Sequence, residues 1–323
     1  MRKIRAIPKI PPAILDAARR GDLVVFFGAG VSRIIGCPSW KDFANAYLEK
    51  ILEQKKINYF EYDRLLEKDP RMVLTICQKI IKEEKVESPD INEILKGDPE
   101  KIKKHRIYEN LYKFKAVYVT TNFDDYMDEV VKKNKKKKIN PRSVTVAESA
   151  LIPDHDDSEN YIHYVEKNLL LTALKSGSVV HLHGSVQDIE NLVITLPDYF
   201  KKYTPESNST FLIKEIFEKR TVLLIGYGLD EYEIIEFLVN KSNISNKEIS
   251  HFMLFGAFEE EGNMVELYNK YYAELGVELI PFSMTKRGHA QLVNIIKVWA
   301  KEIGSIARER LHIDKRSLID ETD

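Results

Sequence analysis

The chain has 323 residues and a formal net charge of −1, and 44% of its residues are hydrophobic and 31% charged. This composition is typical of a globular protein with a sizeable core, and it provides no general attraction to nucleic acid or membrane. Its two cysteines, Cys37 and Cys77, cannot form a disulfide framework or a four-cysteine zinc site. Because no signal peptide or membrane-spanning run is recognisable, we expect a soluble cytoplasmic protein.

Seven short apolar runs bounded by turn residues predict β-strands, and most are rich in β-branched or aromatic residues. They are residues 23–27, 116–120, 179–182, 192–195, 222–225, 251–255 and 277–280. Helical patterns lie between them, among them residues 40–55, 230–240 and 262–275. Apolar and polar residues do not alternate strictly within most of these strands, and strands alternate with helices along the chain. Together these patterns predict an α/β fold with a Rossmann-like doubly wound parallel sheet.

Two stretches interrupt this alternation. Residues from about 58 to 110 predict a helical insertion, and residues from about 132 to 176 predict a loop-and-helix excursion. An amphipathic pattern from residue 286 predicts one further helix. We therefore expect a core domain over residues 1–285, followed by a C-terminal helix and tail over residues 286–323.

A lysine-rich run occupies residues 132–138. It has no interleaved aromatic side chains for base stacking, so we interpret it as a solvated loop rather than a nucleic-acid contact. No cluster of acidic metal ligands is recognisable in the sequence, which also argues against a nuclease.

A glycine turn, Gly28-Ala29-Gly30-Val31-Ser32, follows the first predicted strand. Such a turn lets the backbone come close to a diphosphate, and the N–H groups behind it can hold the negative charge. The third glycine of the dinucleotide-binding fingerprint is missing, because Arg33 occupies its position. An ordinary connection from a strand to a helix is the alternative.

Polar side chains follow the second predicted strand, in the run Thr120-Thr121-Asn122-Phe123-Asp124. Ligands of doubly wound sheets lie beyond the carboxyl ends of the strands. There an asparagine can hydrogen-bond a ribose or a water, and an aspartate can orient amide or hydroxyl groups. Alternatively, Asn122 or Asp124 caps a helix that begins near Asp125.

Two histidines end the third predicted strand, in the run His181-Leu182-His183-Gly184. A histidine whose pKa lies near neutrality suits proton transfer from a ribose hydroxyl or a water. His181 and His183 are two residues apart, so they share a face as long as the strand continues. His181 is therefore a rival to His183 for the role of base.

A second glycine turn, Gly226-Tyr227-Gly228, follows the predicted strand at residues 222–225. It allows backbone contacts with a ligand at the same edge of the sheet. The alternative is another strand-to-helix connection, with Asp230 placed favourably near the start of the helix.

In this order the four motifs resemble those of the sirtuin family. The family's G-A-G-x-S turn and its G-x-P-x-aromatic-basic segment match residues 28–41, with Trp40 and Lys41 in place of phenylalanine and arginine. Its T-x-N-x-D and H-G motifs match residues 120–124 and 183–184, and Gly228 replaces the serine of its later G-x-S-L turn. The resemblance implies that Asn122 and His183 are catalytic, and that NAD contacts Gly28, Ala29, Gly30, Ser32, Trp40, Thr121, Asp124, Gly226 and Gly228.

Protein-deacylating sirtuins carry a zinc ribbon of four cysteines after the H-G motif, and no cysteine follows His183 here. The resemblance therefore implies no zinc. Residues 191–199 are similar to a divergent sirtuin-like branch that is common in prokaryotic antiviral defence, whose members are typically NAD hydrolases. The ribbon forms one wall of the acyl-peptide cleft, and cleavage of NAD does not need that wall.

The resemblance implies hydrolysis of NAD to nicotinamide and ADP-ribose. The turn at residues 28–32 would hold the diphosphate, Asn122 the nicotinamide ribose and Asp124 the nicotinamide end. A water would replace the acyl oxygen that deacetylases use, and His183 would act as general base. The alternatives are an NAD-dependent protein deacylase or ADP-ribosyltransferase, and a non-catalytic sensor of NAD or ADP-ribose.

An enzyme that depletes NAD must be held inactive until it is needed. By analogy with similar systems, we expect control by a homo-oligomer or by a separate partner, such as a HerA-type ATPase or an Argonaute-like protein. The helical insertion and the C-terminal helix are the expected contact surfaces.

Overall fold

The computed structural model describes residues 4–136, 161–165, 169, 171–227, 238, 251–284, 288 and 290–320. Its strands are β1 (Leu23–Phe27), β2 (Val117–Thr120), β3 (Ile162–Tyr164), β4 (Val179–His181), β5 (Thr221–Ile225), β6 (His251–Ala257) and β7 (Val277–Ser283). They form one parallel sheet in the order β3-β4-β2-β1-β5-β6-β7. The predicted Rossmann-like doubly wound α/β fold is confirmed.

The central strands are buried on both faces, which explains why their apolar residues do not alternate with polar ones. In β1, Leu23, Val25 and Phe27 pack into the apolar cluster on one face of the sheet. Val24 and Phe26 point the other way and pack into the cluster on the opposite face.

Helices cover both faces of the sheet. In chain order they are α1 (Pro12–Arg20), α2 (Ala29–Ile34), α3 (Trp40–Glu53), α4 (Tyr59–Leu66), α5 (Pro70–Glu84), α6 (Ile91–Ile94), α7 (Pro99–His105), α8 (Ile107–Tyr112), α9 (Tyr126–Lys136), α10 (Leu196–Lys202), α11 (Asn208–Lys219), α12 (Gly262–Glu274) and α13 (Gln291–Asp320). The stretch that the sequence predicts as a helical insertion contains α4 to α8.

The carboxyl ends of four adjacent strands are level with one another. Thr120, which ends β2, pairs with Phe27 of β1 and with His181 of β4, and Phe27 also pairs with Ile225 of β5. Because β2 and β5 lie on opposite sides of β1, the chain connections diverge at this edge. Doubly wound sheets bind their ligands at such a switch point.

A third apolar cluster joins the helical stretch to this edge of the sheet. It contains Phe43 of α3 and Leu74 of α5, together with Phe123, which follows β2, and Leu192, which follows β4. The helices are therefore packed against the segments that leave the sheet, and their side chains can reach a ligand there.

The prediction of a strand at residues 192–195 is wrong. Leu192 and Ile194 do not pair with a strand but are buried in the third apolar cluster, which joins the helical stretch to the edge of the sheet. The backbone N–H of Val193 donates to the carbonyl of His183 at 3.0 Å. Thr195 forms a capping box with Asp198 and so begins α10. An apolar run that packs against helices has the same composition as a short strand, so periodicity could not separate them.

The excursion predicted at residues 132–176 includes a strand that the sequence did not predict. The residues of β3 pair in parallel with β4 from Ile162 to Tyr164 and are only half-buried at the edge of the sheet. Three residues give too short a pattern to recognise. The helix predicted at residues 230–240 lies outside the described residues, apart from Leu238.

The long helix α13 packs against α1 and α8 on one face of the sheet. Its Trp299 is buried and donates from Nε1 to the carbonyl of Pro8 at 3.0 Å. In the part of the chain that the structure describes, no helix is long and apolar enough to cross a membrane.

Candidate active site

A cavity of about 840 Å³ opens at the carboxyl edge of the sheet. This volume is within the range of about 300 to 1,000 Å³ that is typical of small-molecule and cofactor sites. The predicted site residues that line it are Ala29, Gly30, Ser32, Trp40, Thr121, Asn122, Asp124, His183 and Gly226. Gly28 does not line the cavity, and Gly228 lies outside the described residues.

The two glycine turns pack directly on each other. The N–H of Gly28 donates to the carbonyl of Ile225 at 3.1 Å, and the N–H of Gly30 donates to the carbonyl of Gly226 at 2.9 Å. A Cβ atom on Gly30 would lie 2.7 Å from the Cα of Gly226, and one on Gly226 would lie 2.7 Å from the N of Val31. These glycines are therefore required by the contact between the turns, in addition to any role toward a ligand.

Ser32 is the centre of a buried polar network. Its hydroxyl donates to Asp124 Oδ2 at 2.6 Å and accepts from the side-chain amide of Asn122 at 2.7 Å. The Tyr108 hydroxyl lies 2.8 Å from Ser32 Oγ and donates to Asp124 Oδ1 at 3.2 Å. Residues from α2, α8 and the segment after β2 are thus held together by hydrogen bonds.

Burial raises the pKa of Asp124 above the ordinary value, although the hydrogen bonds from Ser32 and Tyr108 act in the opposite direction. The carboxylate also accepts a hydrogen bond from the backbone of Tyr126, the first residue of α9. Asp124 therefore contacts the start of this helix, as the capping alternative predicts, while it also lines the cavity.

His183 lies just beyond β4 and is 2% exposed. Burial, together with the positive charges of Lys202 and Arg71, lowers the pKa of His183 to about 3. The imidazole is therefore neutral at physiological pH.

His181, the rival for the role of base, does not line the cavity. The strand ends at this residue, and its Nε2 is 2.9 Å from Asp128 Oδ1 in a fully buried pair. Burial alone would lower the pKa of His181, but the Asp128 carboxylate and its hydrogen bond raise it in net. The structure thus brings only His183 of the two histidines to the cavity.

Trp40 forms part of an aromatic wall. It begins α3, whose start is fixed by a capping box between Ser39 and Asp42. Its ring stacks on Phe43 with centroids 5.5 Å apart and tilts against Phe123 at 5.6 Å. The wall is therefore rigid, and Asp42 is occupied in capping the helix.

Several residues of the site were not predicted from the sequence. Arg71 of α5 lines the cavity and places its guanidinium 4.9 Å from the ring centroid of Tyr199, which also lines it. Tyr108 completes the Ser32 network, and the Tyr203 hydroxyl lies 2.6 Å from His183 Nε2. These residues come from helices, so their proximity depends on tertiary packing that no local motif records.

We expect Arg71→Met to raise the pKa of His183 from about 3 toward its ordinary value, because a positive charge nearby disfavours the imidazolium. The measurement is a histidine titration by NMR. Arg64→Met is the matched control, since Arg64 stacks on Phe60 with its guanidinium 5.3 Å from the ring centroid, outside the cavity lining. A pKa of His183 that is the same in both variants and the wild type would contradict this prediction.

We expect Ser32→Ala to lower the free energy of unfolding by about 1–3 kcal/mol, because it deprives buried Asp124 and Asn122 of a shared partner. Denaturant unfolding measures this loss. Ser39→Ala, which removes only the cap at the start of α3, is the comparison and should cost about 1 kcal/mol. A smaller loss for Ser32→Ala than for Ser39→Ala would show that the network contributes little.

Comparison with known proteins identifies the family. The family model described as SIR2-like domain matches residues 116–280, just over half of the chain. The chain belongs to the SIR2-like domain family. The matched range contains Asn122, Asp124, His183 and Gly226, whereas the first glycine turn lies before it. SIR2-like domains use NAD, and the resemblance that the sequence motifs predict is confirmed.

This SIR2-like domain is also similar to Defense-associated sirtuin 2 from Bacillus subtilis, with 27% identity over 235 residues. The aligned region covers 68% of this chain and 19% of that protein, so the chain spans about a fifth of the length of this relative. Among the described residues, no group of three or more histidine, cysteine, aspartate or glutamate side chains is arranged to hold a metal ion.

Proposed function

We propose that this SIR2-like domain hydrolyses NAD at the bond between nicotinamide and ribose. The observation that carries the proposal is the convergence of Asn122 and His183 on one cavity, which they reach from two different strand ends. Ser32 and Asp124, hydrogen-bonded to each other, line the same cavity. The site therefore combines a neutral base with polar groups that can orient a ribose and an amide.

The cavity suits an extended, anionic dinucleotide. At the two glycine turns it is lined by the small residues Ala29, Gly30 and Gly226, where a diphosphate can approach the backbone. Arg33 and Arg71 add positive charge to the lining, which favours a phosphate-bearing ligand. In the proposal Asn122 binds the nicotinamide ribose, because its side-chain N–H groups face Ser32 and its oxygen can accept from a hydroxyl.

Hydrolysis breaks the bond between the ribose C1′ and the nicotinamide nitrogen. The bonding electrons pass to that nitrogen, so nicotinamide leaves as a neutral molecule and the ribose acquires oxocarbenium character. The oxygen of a water then bonds to C1′, and His183 accepts the proton that the water releases. The products are nicotinamide, ADP-ribose and one proton.

In the same proposal the activity serves antiviral defence in the cytoplasm by depleting NAD. The support is the similarity to a protein whose name assigns it to defence. Because an enzyme that depletes NAD harms its own cell, self-association or a separate protein keeps it in check. A HerA-type ATPase or an Argonaute-like protein is the kind of separate partner that the proposal includes.

The experiment is to incubate the purified chain with NAD and to separate the products, beside Asn122→Ala. Nicotinamide and ADP-ribose in equal amounts, from the wild type alone, would support hydrolysis. Consumption of NAD only when an acylated peptide or a protein acceptor is present would instead identify a deacylase or an ADP-ribosyltransferase. Binding of NAD without turnover, also in the self-associated state and with the partner present, would identify a sensor.

A further inference from the structure

Tyr108 contacts the buried polar network without lining the cavity itself. It lies in α8 and is 4% exposed. Its hydroxyl donates to Asp124 Oδ1 at 3.2 Å and lies 2.8 Å from Ser32 Oγ. Both of these partners line the cavity. One phenol hydroxyl is thus shared between the helix that follows the first glycine turn and the segment that follows β2.

The ring of Tyr108 is fixed by aromatic contacts. It meets the ring of Phe27 edge-on, with centroids 5.9 Å apart, and stacks on Tyr126 at the same centroid distance. The helix itself packs against α9 and α13. A Cβ atom on Gly304 of α13 would lie 2.7 Å from the carbonyl oxygen of Lys113, which caps the end of α8. The phenol hydroxyl therefore has a defined position.

Ser32 connects this hydroxyl and Asp124 to Asn122. It donates to Asp124 Oδ2 at 2.6 Å, and the side-chain amide of Asn122 donates to Ser32 Oγ at 2.7 Å. Among the residues that the structure describes, Ser32 and Tyr108 are the two side chains that hydrogen-bond to Asp124. Hydrogen bonds in a buried network strengthen one another, so loss of the phenol hydroxyl would weaken the hold on the other members.

We propose that Tyr108 is a positioning residue, which holds Ser32 and Asp124 together and through Ser32 orients the amide of Asn122. The consequence for turnover rests on the proposed NAD hydrolysis, in which Asn122 binds the nicotinamide ribose, whereas the hold on Asp124 does not. Tyr108 lies before residues 116–280, the range that the family model matches. The helical stretch thus supplies a hydroxyl to the site that none of the four motifs contains.

The charge of Asp124 reports on this contact. Burial raises the pKa of Asp124, and the hydrogen bonds from Ser32 and Tyr108 lower it. Removal of a donor to the ionised form raises a pKa further. The titratable groups that face Asp124 from the surrounding elements are Cys37, Tyr108, Tyr126 and His181. We therefore expect the pKa of Asp124 to rise when the hydroxyl of Tyr108 alone is removed.

The test titrates Asp124 in the full chain by 13C NMR of its carboxyl carbon, with Asp124→Asn to identify the signal. We expect a higher pKa of Asp124 in Tyr108→Phe, which keeps the ring, than in the wild type. Tyr118→Phe is the matched control, because Tyr118 is also buried and its hydroxyl donates to the carbonyl of Leu111 in the same helix at 2.7 Å. This control should leave the pKa of Asp124 unchanged.

The kinetic arm measures NAD cleavage by the same variants. Loss of a hydrogen bond to a charged group should lower kcat of Tyr108→Phe about tenfold. Tyr118→Phe should keep the wild-type kcat. Each variant loses one buried hydrogen bond to or from α8, so a general loss of stability would affect both alike. On the acid side kcat of Tyr108→Phe should also fall at a higher pH than that of the wild type, since Asp124 is protonated earlier.

A second variant keeps the inference testable if Tyr108→Phe does not fold. Incorporation of 3-fluorotyrosine at position 108 alone retains the hydroxyl and makes it more acidic, and hence a stronger donor. A stronger hydrogen bond to the ionised carboxylate should lower the pKa of Asp124, opposite to the effect of Tyr108→Phe.

The outcomes separate this inference from the proposed function. If the wild type does not cleave NAD but the two variants at position 108 shift the pKa of Asp124 in opposite directions, the hydrolase proposal fails and the role of Tyr108 stands. If the wild type cleaves NAD and Tyr108→Phe has the same kcat as Tyr118→Phe, the positioning role is overturned. A pKa of Asp124 that neither variant at position 108 changes would overturn it as well.

Discussion

His183→Gln is expected to lower kcat for NAD hydrolysis by at least about 100-fold, because it removes the group that the proposal assigns as general base. Glutamine can still hydrogen-bond Tyr203, so the chain should fold. The Kd for NAD should stay close to that of the wild type, because the imidazole is neutral and holds no charge toward the ligand. Steady-state kinetics and calorimetric titration measure the two quantities.

His163→Gln is the matched control for this substitution. His163 lies in β3 at the edge of the sheet and does not line the cavity. We expect its kcat to equal that of the wild type. Equal kcat values for His183→Gln and the wild type would show that His183 is not the general base.

Gly226→Ala should produce the largest loss of stability among the substitutions at the site, about 2 to 4 kcal/mol in the free energy of unfolding. Gly226 has φ = +60°, which costs energy for any residue with a Cβ atom. The added methyl would also lie 2.7 Å from the N of Val31 and would force the two glycine turns apart. Denaturant unfolding of the purified variants measures the loss.

Gly276→Ala separates the two causes. Gly276 has φ = +72°, but no atom lies within 4 Å of the position that its Cβ would take. It should therefore lose only about 1 to 2 kcal/mol, the cost of the backbone conformation. A loss in Gly226→Ala that does not exceed the loss in Gly276→Ala would mean that the contact between the turns is unimportant.

The strands that lie at the centre of the sheet could be predicted from the sequence, because burial on both faces leaves a continuous apolar run between turn residues. The run at residues 23–27 is an example, and it corresponds to β1. The run at residues 192–195 has a similar composition, but its residues Leu192 and Ile194 pack into the third apolar cluster. Local composition records that a segment is buried, but it does not record which element buries it.

The positions of several site residues could also be predicted, since a residue that ends a parallel strand must lie at one edge of the sheet. Asn122 and His183 meet at the cavity for this reason. Which of His181 and His183 lines the cavity could not be predicted, because it depends on where β4 ends and on the buried partner Asp128.

Other parts of the site could not be predicted because they come from helices far away in the sequence. Arg71 and Tyr108 reach the cavity region only because their helices pack at the carboxyl edge of the sheet. The sequence likewise did not show that the two glycine turns pack against each other. The motif indicates a close approach to a diphosphate, and the structure adds a close approach of Gly30 to Gly226.

The most direct test of the central claim is an experimental structure of His183→Gln with NAD, since this variant should bind the dinucleotide without consuming it. We predict that the diphosphate lies against the turn at Gly30 and Gly226, and that the nicotinamide ribose lies within hydrogen-bonding distance of Asn122. NAD bound elsewhere, or with its adenine end at Asn122, would contradict the claim that this cavity cleaves the bond between nicotinamide and ribose.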